Sequence, residues 1–89
     1  MLQKKTKYAI KALLSLAKEY KDNKPMKISE IAEKEGIPRK FLEAILLELR
    51  HHGIVGSKMG ATGGYYLLKH PEEIMLSNVI RLTGGPIAL

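Results

Sequence analysis

The sequence of 89 residues contains no cysteine and no tryptophan, and it has only one phenylalanine. Without cysteine, these residues can form no disulfide, thiolate metal site or cysteine nucleophile. No apolar run approaches the roughly 20 residues that a membrane-spanning helix needs. The amino-terminus is basic, but an amphipathic segment follows it instead of the continuous apolar stretch of a secretion signal. We therefore expect a cytoplasmic protein that has no membrane partner.

Length and composition predict one small domain spanning residues 1–89. Hydrophobic residues make up 45% of the sequence and charged residues 27%, a balance typical of folded proteins. A chain this short leaves much of its surface wet, which argues against a deep substrate pocket. The three histidines, His51, His52 and His70, lack a metal-ligand spacing, and no catalytic triad or carboxylate pair stands out. We predict that the chain is not an enzyme and holds no metal or cofactor of its own.

The positive charge of the chain is unevenly distributed. The formal net charge is +6, and residues 1–29 contain eight lysines against only Glu19 and Asp22. A basic stripe suits a polyanion, and nucleic acid is the commonest such partner. A solvated lysine-rich surface is nearly as good an explanation, so charge alone does not decide between the two.

Hydrophobic periodicity predicts two helices in the first part of the chain. The first runs from about Lys5 to Tyr20, with apolar residues at three- and four-residue spacing. A loop at residues 22–25 follows. The second helix spans Ile28 to Gly36, with Ser29 as its N-cap and a left-handed stop at Gly36.

A third helix is predicted from about Arg39 to His51, beginning at or beside Pro38 and ending at Gly53. Its exposed face is expected to carry polar residues, with Arg50 at the edge of that face. The apolar side chains that recur on the opposite face form its predicted buried stripe: Phe41, Leu42, Ile45, Leu46 and Leu49.

The hydrophobic period then changes to that of a β-hairpin. A strand at Ile54–Lys58, a glycine-rich turn at residues 59–64 and a returning strand at Tyr65–Lys69 are predicted. A last helix is expected from Ser77 to about Thr83, where Ser77 caps it and Gly84-Gly85-Pro86 breaks it. The overall prediction is a mainly α fold with a small β-hairpin.

Two helices joined only by Gly36-Ile37-Pro38 are typical of a helix-turn-helix, and the following hairpin would be its wing. Such a motif places its second helix in the major groove of DNA. The side chains expected at base edges are those of Arg39, Lys40 and Glu43, because Arg and Lys donate to guanine and Glu accepts from cytosine. Glu43 could instead orient Lys40 or Arg50, or be an ordinary surface residue.

Phosphate contacts position a protein on DNA without reading sequence. Ser29, at the start of its helix, could add a further phosphate contact. In the glycine-rich turn, Thr62 and backbone N–H groups such as that of Gly63 could donate to phosphates or enter the minor groove. The glycines also have a purely geometric explanation, since they permit positive φ. The basic candidates are Lys4, Lys5, Lys7, Arg50 and Lys58.

The outward face of the third helix also carries the apolar residues Ala44 and Leu47. Small apolar groups can contact the methyl group of thymine. Packing of Leu47 against the wing or a partner is the favoured interpretation. If Leu47 and Leu68 are both exposed, they would form an apolar patch for an alternative function, that of a winged-helix protein-interaction module without direct DNA readout.

Taken together, these residues resemble the Rrf2 (Rrf-two) family of bacterial transcription regulators, whose members include an iron–sulfur cluster regulator and a repressor of cysteine metabolism. The resemblance covers essentially the whole chain, and its specificity comes from the order and spacing of many short matches. These matches are Tyr8-Ala9, Leu13, Leu16-Ala17, Ile31-Ala32, Gly36-Ile37-Pro38, Phe41-Leu42-Glu43, Leu49-Arg50, Gly53-Ile54-Val55, Gly63-Gly64-Tyr65, Leu67, Pro71-Glu72, Val79-Ile80-Arg81 and Gly85-Pro86.

The resemblance implies a winged-helix domain that binds operator DNA, usually as a dimer and usually to repress transcription. It points to Tyr8 at the DNA-facing start of the first helix, to Arg39, Lys40 and Glu43, and to the wing from Lys58 to Gly64. The full-length protein is therefore expected to be a homodimer, whereas the state of residues 1–89 alone stays open.

Three departures from the family pattern bear on these expectations. Met59 stands where the family often has an arginine suited to the minor groove, although Lys58 is adjacent. Met75 and Asn78 replace the threonine and acid of a capping box. A cysteine-bearing loop and a long dimerisation helix lie beyond Leu89 in relatives that sense clusters or redox state. A cysteine-ligated iron–sulfur cluster is therefore expected only if a further carboxyl-terminal region supplies its ligands.

Overall fold

The computed structural model describes residues 3–22 and 24–84. Two strands form an antiparallel hairpin in which Val55 pairs with Leu67 and Lys58 with Gly64. This architecture is the mainly helical fold with a small hairpin that the sequence predicts. In chain order the elements are α1 (Lys4–Lys18), α2 (Ile28–Glu35), α3 (Arg39–His51), β1 (Val55–Lys58), β2 (Gly64–Leu67), a 3₁₀ turn (Pro71–Glu73) and α4 (Leu76–Gly84).

The core forms around the apolar stripe of α3, which contacts α1, α2, α4 and β1. Phe41 lies at the edge of this core and is partly buried. Full burial of a leucine or isoleucine contributes about 1.5–3 kcal/mol, so the stripe contributes roughly 6–12 kcal/mol to holding α3 in place. The predicted stripe is confirmed, and its fully buried members are Leu42, Ile45, Leu46 and Leu49.

The start of α2 differs from the prediction. Lys27, not Ser29, occupies the N-cap position, and the Glu30 carboxylate accepts a hydrogen bond from the Lys27 backbone N–H at 3.4 Å. Ser29 lies inside the first turn and is exposed. The physical reason is tertiary, because Met26 and Tyr65 exchange backbone hydrogen bonds of 2.8 and 2.7 Å, which hold the preceding segment extended.

The last helix also begins earlier than predicted. α4 starts at Leu76 and includes Gly84, so Ser77 is a residue of its first turn and not its cap. The carbonyl oxygen of Met75 accepts from the N–H of Val79 at 3.2 Å, which closes the first helical turn. The predicted helix break at Gly85 and Pro86 lies outside the described residues, as does Asn23 of the predicted loop.

Buried hydroxyl groups hold α1 against its neighbours. Thr83 Oγ1 lies 2.9 Å from Thr6 Oγ1 and 2.7 Å from the carbonyl oxygen of Val79. Because a hydroxyl has one proton, Thr83 donates to Val79 and accepts from Thr6. The buried Ser15 hydroxyl donates to a carboxylate oxygen of Glu35 at 2.5 Å. α1 is thereby tied to both α2 and α4.

Candidate nucleic-acid interface

The turn between α2 and α3 sets the angle at which α3 is presented. Gly36 has φ +67° and ψ +37°, the left-handed conformation that ends α2. Ile37 is buried in the core and Pro38 is extended immediately before α3. The predicted left-handed stop at Gly36 is confirmed, and the buried Ile37 anchors the turn between the two helices.

The exposed face of α3 carries the side chains predicted to read bases. Arg39, Lys40 and Glu43 are all exposed, so no part of the fold described here covers them. Glu43 Oε1 lies 3.9 Å from Arg39 Nε, not beside Lys40 or Arg50 as the sequence had suggested. An exposed pair at this spacing contributes only ~0.3–0.5 kcal/mol, so either side chain can leave it for a DNA base.

Tyr8 joins the start of α1 to the start of α3. Its ring meets the Phe41 ring edge to face, with centroids 5.4 Å apart and an interplanar angle of 89°. Lys4 Nζ lies 6.0 Å from the centroid of the Tyr8 ring, at the outer limit of a cation–π contact. Tyr8 is therefore packed beside the amino-terminal end of α3 with Lys4 next to it, and their contacts with DNA stay predictions.

Lys5 has a protein partner that the sequence did not reveal. Its Nζ lies 2.5 Å from Glu48 Oε2, and about a third of each side chain is exposed. This ion pair connects α1 to α3. A phosphate contact by Lys5 would have to compete with Glu48, whereas Lys4, Lys7 and Arg50 are exposed.

The predicted contact residues of the wing differ in their exposure to solvent. Lys58 and Thr62 are exposed, but Gly63 is buried and its N–H donates to the carbonyl of Gly60 at 3.0 Å. A Cβ on Gly63 would overlap the backbone of Lys58. In this turn the positive φ that the geometric explanation invoked is found at Gly60 and Gly64. Gly63 is instead required by the close approach of the Lys58 backbone. Any contact of Gly63 with DNA stays a prediction.

Two further lysines, Lys24 and Lys27, are brought to the wing by the bridge between Met26 and Tyr65. They belong to the basic segment of residues 1–29, but the sequence does not assign them to the interface, because their position depends on a contact between residues far apart in the chain. An open groove of about 630 Å³ separates them from the wing turn. Its lining residues are Asp22, Lys24, Pro25, Lys27, Glu30, Lys58, Ala61, Thr62 and Gly63.

Neither a metal centre nor a membrane span is found among residues 3–22 and 24–84. No three side chains of His, Asp or Glu come together there as a metal site would require. The helices of this part of the chain are too short or too polar to cross a bilayer.

Comparison with known proteins gives consistent similarities. The Rrf2 family model, described as "Iron-dependent Transcriptional regulator", matches residues 2–89. An HTH-type transcriptional regulator of Rhodobacter capsulatus, named rrf2-like, is 49% identical over an aligned region of 90 positions that covers 99% of this chain and 60% of that protein. The chain therefore spans less than two-thirds of the length of this relative.

Solved structures agree with this similarity. The cysteine regulator CymR of B. subtilis superposes with a TM-score of 0.90 at 32% identity, covering 98% of this chain and 67% of that one. IscR of T. potens superposes with a TM-score of 0.88 at 31% identity, covering 100% of this chain and 64% of that one. The predicted winged helix-turn-helix fold is confirmed.

Proposed function

The chain belongs to the Rrf2 family of transcriptional regulators, and from this premise we propose that it binds a specific sequence of double-stranded DNA and represses transcription in the bacterial cytoplasm. The family and the named relatives are regulators and not enzymes, which confirms that part of the sequence prediction. The observation that carries the proposal is α3, whose apolar side is buried while Lys40 and Glu43 stand exposed on the other.

The exposed face of α3 supports base reading because it mixes charges. Phosphates are all negative, so a helix that contacted only the DNA backbone would gain nothing from Glu43. Within a major groove, a carboxylate can accept from cytosine N4, while Arg39 and Lys40 can donate to guanine. The weak pairing of Arg39 with Glu43 keeps both side chains available for these contacts.

Phosphate binding is assigned to the basic side chains around α3. Lys4, Lys7, Arg50 and Lys58 are exposed, and we add Lys24 and Lys27 because they face the wing across the groove. Between 50 and 200 mM salt, a protein that contacts about 6 phosphates loses roughly 10³-fold in affinity. These phosphate contacts would supply affinity for any DNA, and α3 would supply the preference for a particular base sequence.

We extend the proposal to the whole protein in two respects. A homodimer is supported by an apolar cavity of about 140 Å³ between α1 and α4, beside the exposed side chains of Leu14 and Leu76. No cofactor is assigned to residues 1–89, and a cysteine-ligated cluster would need ligands from a further region of the polypeptide. Sedimentation of the full-length protein tests the first point, and its absorption spectrum and iron content test the second.

Fluorescence anisotropy against salt concentration tests the DNA-binding proposal directly. A duplex selected from a random pool and a scrambled duplex of the same composition should both bind with steep log–log salt slopes, about −0.9 per phosphate contacted. The selected duplex should bind more tightly at every salt concentration. Equal binding of the two duplexes would refute sequence reading, and a flat salt dependence would refute the electrostatic contribution.

A protein-interaction module is the second candidate function. Leu47 and Leu68 are both exposed, at 47% and 53%, which is the condition that this alternative required. It also requires that the chain fail to bind DNA. The anisotropy experiment therefore separates the two candidates, because an interaction module gives no salt-dependent signal with any duplex.

A further inference from the structure

Leu47 occupies the middle of the exposed face of α3. At about 100° per residue, it lies within about 40° of Lys40 and Glu43 around the helix axis. Its side chain is 47% exposed, whereas Leu46 and Leu49 of the same helix are fully buried. The wing therefore does not bury Leu47, and about half of its apolar side chain is presented to whatever α3 binds, whether DNA or the partner that the sequence also allowed.

Ala44, also exposed, stands one turn away from Leu47 on this face. Residues three apart on a helix are neighbours, so the two side chains form a small apolar strip beside Glu43. Single exposed leucines are common and need no explanation. This one differs because it lies one turn beyond Glu43, on the same face as the residues to which base reading is assigned.

Base edges in the major groove offer one apolar group of their own, the C5-methyl of thymine. Every other major-groove position of unmodified bases is a hydrogen-bond donor or acceptor, or a bare ring carbon. We propose that Leu47, with Ala44, specifies a thymine in the operator by contact with this methyl group. The inference rests on the proposed function, and it adds a base preference that the charged residues do not supply.

The spacing along α3 limits where this thymine can lie. Four residues of α-helix, from Glu43 to Leu47, rise about 6 Å. Successive bases of a strand are about 3.4 Å apart along the duplex. The thymine should therefore lie within about two base pairs of the position whose identity depends on Glu43.

Replacement of thymine by deoxyuridine removes only the methyl group and is the experiment that tests the inference. Duplexes are first selected from a random pool with this chain, and each thymine is then replaced singly. One thymine near the Glu43-dependent position should show about a 4-fold loss of affinity, the effect expected for one methyl group at about 0.8 kcal/mol. The L47A variant should bind the thymine and deoxyuridine duplexes equally.

Met75→Ala is the matched control, since Met75 is 61% exposed but lies outside α3, immediately before α4. This variant should keep the 4-fold discrimination, and thermal unfolding should show that both variants fold. Selective binding in which no thymine shows a Leu47-dependent loss would overturn the inference while the proposed function stands. A Leu47→Ala variant that loses self-association but keeps the discrimination would also overturn it, assigning the side chain to a protein interface. Failure of every duplex to be selected would overturn both.

Discussion

Replacement of Gly64 by alanine should detach from the wing the segment between α1 and α2 that carries Lys24 and Lys27. Gly64 has φ +143°, which disfavours any residue with a Cβ. An added Cβ would also overlap the carbonyl group of Met26. The backbone there would have to move, and the two hydrogen bonds between Met26 and Tyr65, at 2.8 and 2.7 Å, would be lost or weakened.

The expected loss of folding stability is the sum of the backbone strain and the two lost hydrogen bonds. Backbone strain at such a position is about 1–3 kcal/mol, and each lost hydrogen bond adds about 1 kcal/mol. Gly64→Ala should therefore lower the free energy of unfolding by about 3–5 kcal/mol. A domain of 89 residues has a total stability of about 4–13 kcal/mol, so the variant is expected to fold with a much reduced margin.

Urea denaturation followed by circular dichroism measures this loss. The matched control is Gly60→Ala, because Gly60 also has positive φ, +101°, but a Cβ there would meet no other atom within 4 Å. Gly60→Ala should show the strain cost alone, leaving a difference of about 2 kcal/mol between the variants. Equal losses would refute the assignment of the bridge as a stabilising contact.

DNA binding by Gly64→Ala should also weaken under conditions where circular dichroism shows the variant folded. Lys24 and Lys27 would no longer be held opposite Lys58, so affinity for selected and scrambled duplexes should fall alike. The salt dependence should become shallower by about 1–2 units of log–log slope if both lysines lose their phosphates. An unchanged slope would indicate that this segment does not contact DNA.

Three further predictions concern single side chains of the interface. Lys40→Ala and Glu43→Ala should each change the sequences recovered from a random duplex pool, and recovery of the parent sequence would contradict base reading by these residues. Lys5→Ala should weaken binding to all DNA alike, and the stability of this variant should fall by up to ~1 kcal/mol because the partly buried pair with Glu48 is lost; if Glu48→Ala weakens DNA binding equally, Lys5 acts by positioning α3 and not on a phosphate. Lys27→Ala should leave sequence preference unchanged and reduce the salt slope by about 1, so a changed preference would argue against a phosphate contact.

The helices and their ends were accessible from the sequence because their determinants are local. Gly36 and Gly53 both have positive φ, at 67° and 72°, and they terminate α2 and α3 as predicted. The apolar stripe of α3 recurs with the helical period, which fixes its exposed face as well. The exposure of Lys40 and Glu43 could for the same reason be predicted without coordinates.

The start of α2 and the surroundings of two site residues could not be predicted in this way. Ser29 has the right chemistry for a cap, but a bridge between residues 26 and 65 placed Lys27 there instead. Gly63 was correctly assigned to the turn, yet its N–H is engaged by Gly60 and is not free for a phosphate. Both outcomes depend on which backbone groups meet in space.

The sequence by itself determined the order of the elements, the buried side of α3 and, through the combined matches, the family. These properties follow from nearest-neighbour geometry, in which residues three or four apart share a face and glycine ends a helix. Only the tertiary structure decided that Lys5 pairs with Glu48, that Lys24 and Lys27 join the wing, and that Leu47 stays uncovered. Each of these depends on the distance between segments far apart in sequence, and no local pattern encodes that distance.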